Sequence, residues 1–123
     1  MPVTGWTLDR PSREFLIDIF PPRWRELVAD HVTLNARASL RDPPPPKAKA
    51  AVIGHADDGH GLEALVVAID GNSQRPDGSF FHITWSLERD KGRTSAESNA
   101  LLIDQGWRTL PAPIAIELTP ARF

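Results

Sequence analysis

The chain makes one short statement twice: His31-Val32-Thr33-Leu34 and His82-Ile83-Thr84-Trp85. On a strand, positions i and i+2 share a face, so each histidine would stand beside its own threonine hydroxyl. The apolar residues between would face a core and fix the strand. This pairing suits phosphate, because a hydroxyl and an imidazole can both hydrogen-bond to the oxygens of one phosphoryl group. Histidine titrates near neutrality, so one copy can accept a proton while the other, charged, donates one. Two facing pairs would form a metal-free acid–base site for cleaving a phosphodiester. The plain alternative is two buried histidines satisfied by nearby hydroxyls. One motif alone would favour that alternative; the repetition favours chemistry.

Both motifs lie in alternating segments. Val32, Leu34, Ala36 and Ala38 fall on one face, opposite His31, Thr33, Asn35 and Arg37. Phe81, Ile83, Trp85 and Leu87 likewise oppose His82, Thr84 and Ser86. Around them the pattern predicts a strand over residues 3 to 8 and strands over 47 to 54, 62 to 69 and 80 to 87, with a last one carrying Ile114, Ile116 and Leu118 and closed by Pro120. A helix capped by Ser12 is expected to bury Phe15, Leu16, Ile19 and Phe20. A second would start at Pro22 and run through Trp24, Leu27 and Val28. A third, capped by Thr94 or Ser95, covers 96 to 104 and ends at Gly106. Most connections between strands are short, so the expected class is α+β with antiparallel pairing.

Composition narrows the rest. With 123 residues there is room for a single domain, here 1–123. Lys and Arg number 14 against 16 Asp and Glu, a net charge of −2, which argues against an extended nucleic-acid surface. There is no cysteine, so disulfides, thiol catalysis and zinc ribbons are excluded. No apolar run reaches membrane-spanning length and no secretory signal pattern is visible, so a cytoplasmic protein away from membranes is expected. Pro43 to Pro46 reads as a stiff spacer or, more sharply, as a ligand for a proline-reading partner. His55, Asp57, Asp58 and His60 have the residue types of a divalent-metal site, and equally those of a solvated hairpin loop. Arg37 could assist phosphate binding or cover a sheet edge. Lys91 and Arg93 read as mixed solvated surface. Trp85 and Trp107 could stack a base, with Trp85 on the expected core face.

The two His-apolar-Thr-apolar motifs resemble those of the 2H phosphoesterase superfamily. The likeness extends over Ala29 to Leu34, Ile53 to Ala56 with Glu63 to Val67, and Phe81 to Leu87 with Lys91 to Asn99. It is closest to the tRNA-ligase cyclic-phosphodiesterase branch and to Swiss Army Knife RNA-repair-like 2H domains. The resemblance implies a bilobed fold in which two small antiparallel sheets are related by approximate twofold symmetry around a central cleft, with helices outside. It implies hydrolysis of 2′,3′-cyclic phosphates or related diesters at RNA ends or in small nucleotides, by a monomer and with no cofactor or metal. His31 and His82 would be catalytic, with His82 leaning to base and His31 to acid. Thr33 and Thr84 would hold the phosphate, with Arg37, Ser98 and Asn99 as further substrate contacts. A module that binds phosphate or an RNA end without turnover is the alternative on the same fold. An unrelated interaction domain built on the proline run is a third.

Overall fold

The computed structural model describes residues 3–123. The chain forms β1 (Thr4–Leu8), α1 (Arg10–Ile19), β2 (Glu26–Leu27), β3 (His31–Asn35), β4 (Ala50–Asp57), β5 (Leu62–Ile69), β6 (His82–Leu87), α2 (Ser98–Gln105), β7 (Arg108–Ile116) and β8 (Leu118–Arg122). The class is α+β. Two antiparallel sheets run β3-β1-β8 and β2-β6-β5-β4-β7. No helix among the described residues is long and apolar enough to cross a membrane.

The alternation seen in the sequence decides which face each strand buries. Trp6, Val32 and Leu118 from the smaller sheet meet Val52, Leu65, Val67, Ile83, Trp85 and Ile116 from the larger in one core, with Leu16 of α1 packed into it. A second, smaller cluster joins Leu62, Val66 and Leu87 to Leu101 and Leu102 of α2. The centre between the sheets is therefore filled with side chains, where the resemblance implied a cleft. The histidines and threonines occupy the opposite faces of their strands.

Several expected elements differ. Ser12 does not cap α1: Asp9 is the N-cap residue, and the Ser12 hydroxyl accepts a hydrogen bond from the Glu117 amide at 2.8 Å. Of the four apolar residues expected to be buried there, Leu16 is fully buried and Phe20 packs on the core, while Phe15 and Ile19 are exposed. The second helix does not form. Residues 21–25 run irregularly into β2, because the Arg23 and Trp24 amides are taken by Glu63 and Ser86 side chains at 3.0 and 3.1 Å. β4 continues through His55 to Asp57, beyond the expected loop boundary. The last segment is two strands divided by Glu117, and Pro120 lies inside β8, paired with Trp6. A proline is tolerated there because β8 is an edge strand with no neighbour on its outer side. A capping box between Thr94 and Glu97 opens a single tight turn over Ser95–Glu97 that leads into α2, which ends at Gly106.

Candidate functional site

The two motifs are brought together by a strand that changes sheets. Glu26 and Leu27 pair with Leu87 and Ser86 of β6. The Val28 and Ala29 amides continue the contact, donating to the Trp85 and Thr84 carbonyls at 2.8 and 3.0 Å. Beyond this point β3 still runs close to β6, near enough for the His31 charge to act on the His82 ring. At Ala29 φ is 44°, a left-handed value uncommon for a residue with a side chain. There the chain leaves β6 and turns into β3, which pairs with β1. Gly5 makes that pairing possible. A Cβ at Gly5 would lie 2.1 Å from the Val32 carbonyl oxygen and 3.1 Å from Thr33 Cα.

Each imidazole is held by one nitrogen. His82 Nδ1 lies 2.9 Å from the Phe80 carbonyl oxygen. A carbonyl only accepts, so Nδ1 carries the proton and Nε2 is left with its lone pair. His31 Nδ1 lies 2.9 Å from Asp30 Oδ2, and Nε2 of this ring has no hydrogen-bond partner among the described residues. The Phe123 ring packs against His31 with centroids 4.7 Å apart. Burial holds the His82 imidazole below its ordinary pKa. The Phe80 carbonyl offsets this in part, and the positive charges of Arg75 and His31 push the same way as burial.

The threonines differ. Thr33 is half-buried on β3, whereas Thr84 is buried and its Oγ1 lies 2.8 Å from Oγ of the fully buried Ser98. Ser98 thus touches the second motif from the first turn of α2. Asn99 follows it, with Oδ1 buried and without a hydrogen-bond partner. Arg37 does not continue the His31 face. β3 ends at Asn35, whose side chain accepts from the Arg37 amide in a turn, and Arg37 is exposed.

The residue types singled out for metal do not gather. Among the described residues no three His, Asp or Glu side chains form a ligand group. His55 instead bonds Glu63 at 2.7 Å, Asp57 accepts from the Trp24 indole, and Asp58 takes the His60 and Leu62 amides. Arg93, expected in solvent, is mostly buried between Asp58 and Glu97. Trp85 lies in the core, and Trp107 covers Gly54, where a Cβ would meet its ring at 2.1 Å.

One buried polar network escaped the sequence reading. Glu63 accepts from His55, from the Ser86 hydroxyl at 2.6 Å and from the Arg23 amide, which ties β4, β5, β6 and the segment before β2 together. Burial raises the Glu63 carboxyl, but the hydrogen bonds from His55, Ser86 and Arg23 outweigh it and hold the pKa below the usual carboxylate range. Its signal was a charged residue within the apolar run Leu62-Glu63-Ala64-Leu65. A buried carboxylate of this kind fixes structure.

Five surface cavities among the described residues, of about 200 to 480 Å³, have neither His31 nor His82 in their walls. One of about 380 Å³ has Leu34 and Phe81 in its wall, neighbours of the two motifs in sequence. Comparison with protein-family models, with curated proteins and with solved structures gives no match.

Proposed function

We propose that this chain is a metal-independent phosphodiesterase of the 2H phosphoesterase kind, acting on a 2′,3′-cyclic phosphate at an RNA end or in a small nucleotide. The carrying observation is that two histidines, one on β3 of the smaller sheet and one on β6 of the larger, lie near enough for the charge of one to act on the other and are each anchored through Nδ1. His82, desolvated and with a bare Nε2, suits the base that takes a proton from water. His31, with the Asp30 carboxylate as counter-charge, suits the acid that protonates the leaving ribose oxygen. Thr33 and Thr84 hold phosphate oxygens. In the free protein the Thr84 hydroxyl contacts Ser98 Oγ at 2.8 Å and donates weakly to the Ser95 carbonyl at 3.5 Å, so a bound phosphate would have to take over that proton. On this reading the smaller sheet supplies one motif through β3 and the larger the other through β6, a division compatible with two lobes related by approximate twofold symmetry.

The test is turnover of 2′,3′-cyclic nucleotides and of cyclic-phosphate-ended RNA with a chelator present. Activity should survive the chelator and fall at least a hundredfold in His31→Ala and in His82→Ala. Loss of activity on chelation, or near-wild-type turnover in either variant, overturns the mechanism. The alternative on the same fold is a module that binds the phosphate end without hydrolysing it. Affinity for cyclic-phosphate RNA with no turnover of any ester would select it.

A further inference from the structure

The loop before the second motif holds a buried cation that the proposed reaction leaves unused. Arg75 opens a tight turn, its amide donating to the Ser79 carbonyl at 2.7 Å and its carbonyl accepting from Gly78. Its side chain is 3% exposed. Its ionic partner is Asp77, 3.2 Å from one terminal nitrogen, and that carboxylate already accepts from both the amide and the hydroxyl of Ser79. The Arg75 Nε is buried with no hydrogen-bond partner. A desolvated guanidinium matched this incompletely is costly unless an anion completes it.

Arg75 lies in the wall of the 380 Å³ groove. Asn72 and Gln74 flank it on the loop side, and Leu34, Pro45, Pro46 and Asp70, whose carboxylate accepts from the Lys49 amide, line the groove with them. Arg75 also stands close enough to His82 for its charge to act on that ring. Leu34 and Phe81 face this groove, whereas His31, Thr33 and His82 occupy the other faces of the same strands. A phosphate at Arg75 is therefore a different one from the phosphate between the histidines.

We infer that Arg75 and this groove form a second anion subsite, which takes the phosphate linking the last two nucleotides of an RNA end. The inference rests on the phosphodiesterase reading and narrows its substrate to a strand end in preference to a free mononucleotide. A guanidinium can engage two oxygens of a phosphodiester at once, and the Asn72 and Gln74 amides add polar groups beside it.

The experiment compares a 2′,3′-cyclic mononucleotide with a dinucleotide ending in the same cyclic phosphate. Wild type should favour the dinucleotide in kcat/KM by about tenfold or more. Arg75→Gln, checked for an intact melting transition, should remove that preference mainly through KM and leave mononucleotide turnover within about threefold. Gln74→Glu, an exposed change that sets a negative charge beside the subsite, should do the same and serves if Arg75→Gln does not fold. Calorimetric titration of a dinucleotide 3′-phosphate gives a readout independent of turnover, with about tenfold weaker binding expected in either variant. Equal use of both substrates by wild type, or unchanged dinucleotide binding in the variants, overturns the subsite. Failure of wild type to turn over either substrate overturns the enzymatic reading, and the titration still decides the subsite.

Discussion

Gly5→Ala is a one-carbon test of how the first motif is positioned. In most strands this change gains about 0.5–1 kcal/mol, because alanine has less backbone freedom to lose. Here the new carbon would sit 2.1 Å from the Val32 carbonyl oxygen, about 1.3 Å short of an ordinary 3.4 Å contact, with Leu34 N at 3.0 Å and Thr33 Cα at 3.1 Å. All three atoms are backbone, so no side chain can swing aside. The collision must shift β3 itself. Overpacking of this kind costs roughly 1–3 kcal/mol, which outweighs the gain and, at about 4 °C per kcal/mol for a chain of this size, lowers the melting temperature by several degrees. The shift also falls on the strand carrying His31 and Thr33. A misplacement of about 1 Å costs on the order of a hundredfold in rate, so turnover should fall far more than stability explains. Gly71→Ala is the control. That site is open, with φ of 82°, so it costs about 1 kcal/mol of backbone strain and leaves turnover alone. A Gly5→Ala protein that melts within a degree of wild type with unchanged turnover would refute this account of the pairing.

Turnover should be bell-shaped in pH. With His82 held below the ordinary histidine value of about 6.5, the acid limb should have its midpoint under that pH, the two limbs belonging to the coupled pair. A profile flat from about pH 5 to 9, with chemistry rate-limiting, counts against paired acid–base catalysis. Asp30→Asn keeps a partner at His31 Nδ1 but removes the counter-charge, so kcat should drop about tenfold with KM little changed; an unchanged kcat rejects the role given to Asp30. Glu63→Gln should cost about 1–3 kcal/mol at neutral pH by urea unfolding. Because the folded Glu63 pKa is lowered, its contribution is complete above the unfolded value of about 4.3 and disappears as pH falls through the folded value, so the variant should lose less stability than wild type below pH 4. Parallel acid-unfolding curves would contradict it.

The strand alternation was legible because each strand buries one face; that placed β1, β5 and β6 to within two residues and the start of β3 at His31, while β3 stops at Asn35, short of the alternation read through Ala38. Both histidine–threonine pairs were readable for the same reason. What misled was local helix grammar. Pro22 followed by Trp24, Leu27 and Val28 has the spacing of an amphipathic helix, but Glu63 and Ser86, roughly forty and sixty residues away in sequence, capture the two amides a first helical turn would leave free. Ser12 has the type of a cap, yet its hydroxyl serves Glu117, a partner 105 residues distant. No pattern within a short window carries such information. The sheet change at Ala29 was hidden in a similar way, since a left-handed backbone is usually announced by glycine or asparagine. Arg75 lies in the turn-rich stretch from Gly71 to Gly78, and only the folded chain shows it enclosed.

The prolines of β7 and β8 have a consequence for behaviour at high concentration. Each sheet has one outer edge away from the seam at Ala29, and those edges are β7, with Pro111 and Pro113, and β8, with Pro120. A strand from another molecule can extend a ladder only where amides and carbonyls alternate without interruption, and proline offers no amide. These two borders are thereby blunted, and neither offers an uninterrupted template for edge-to-edge stacking of copies of this chain.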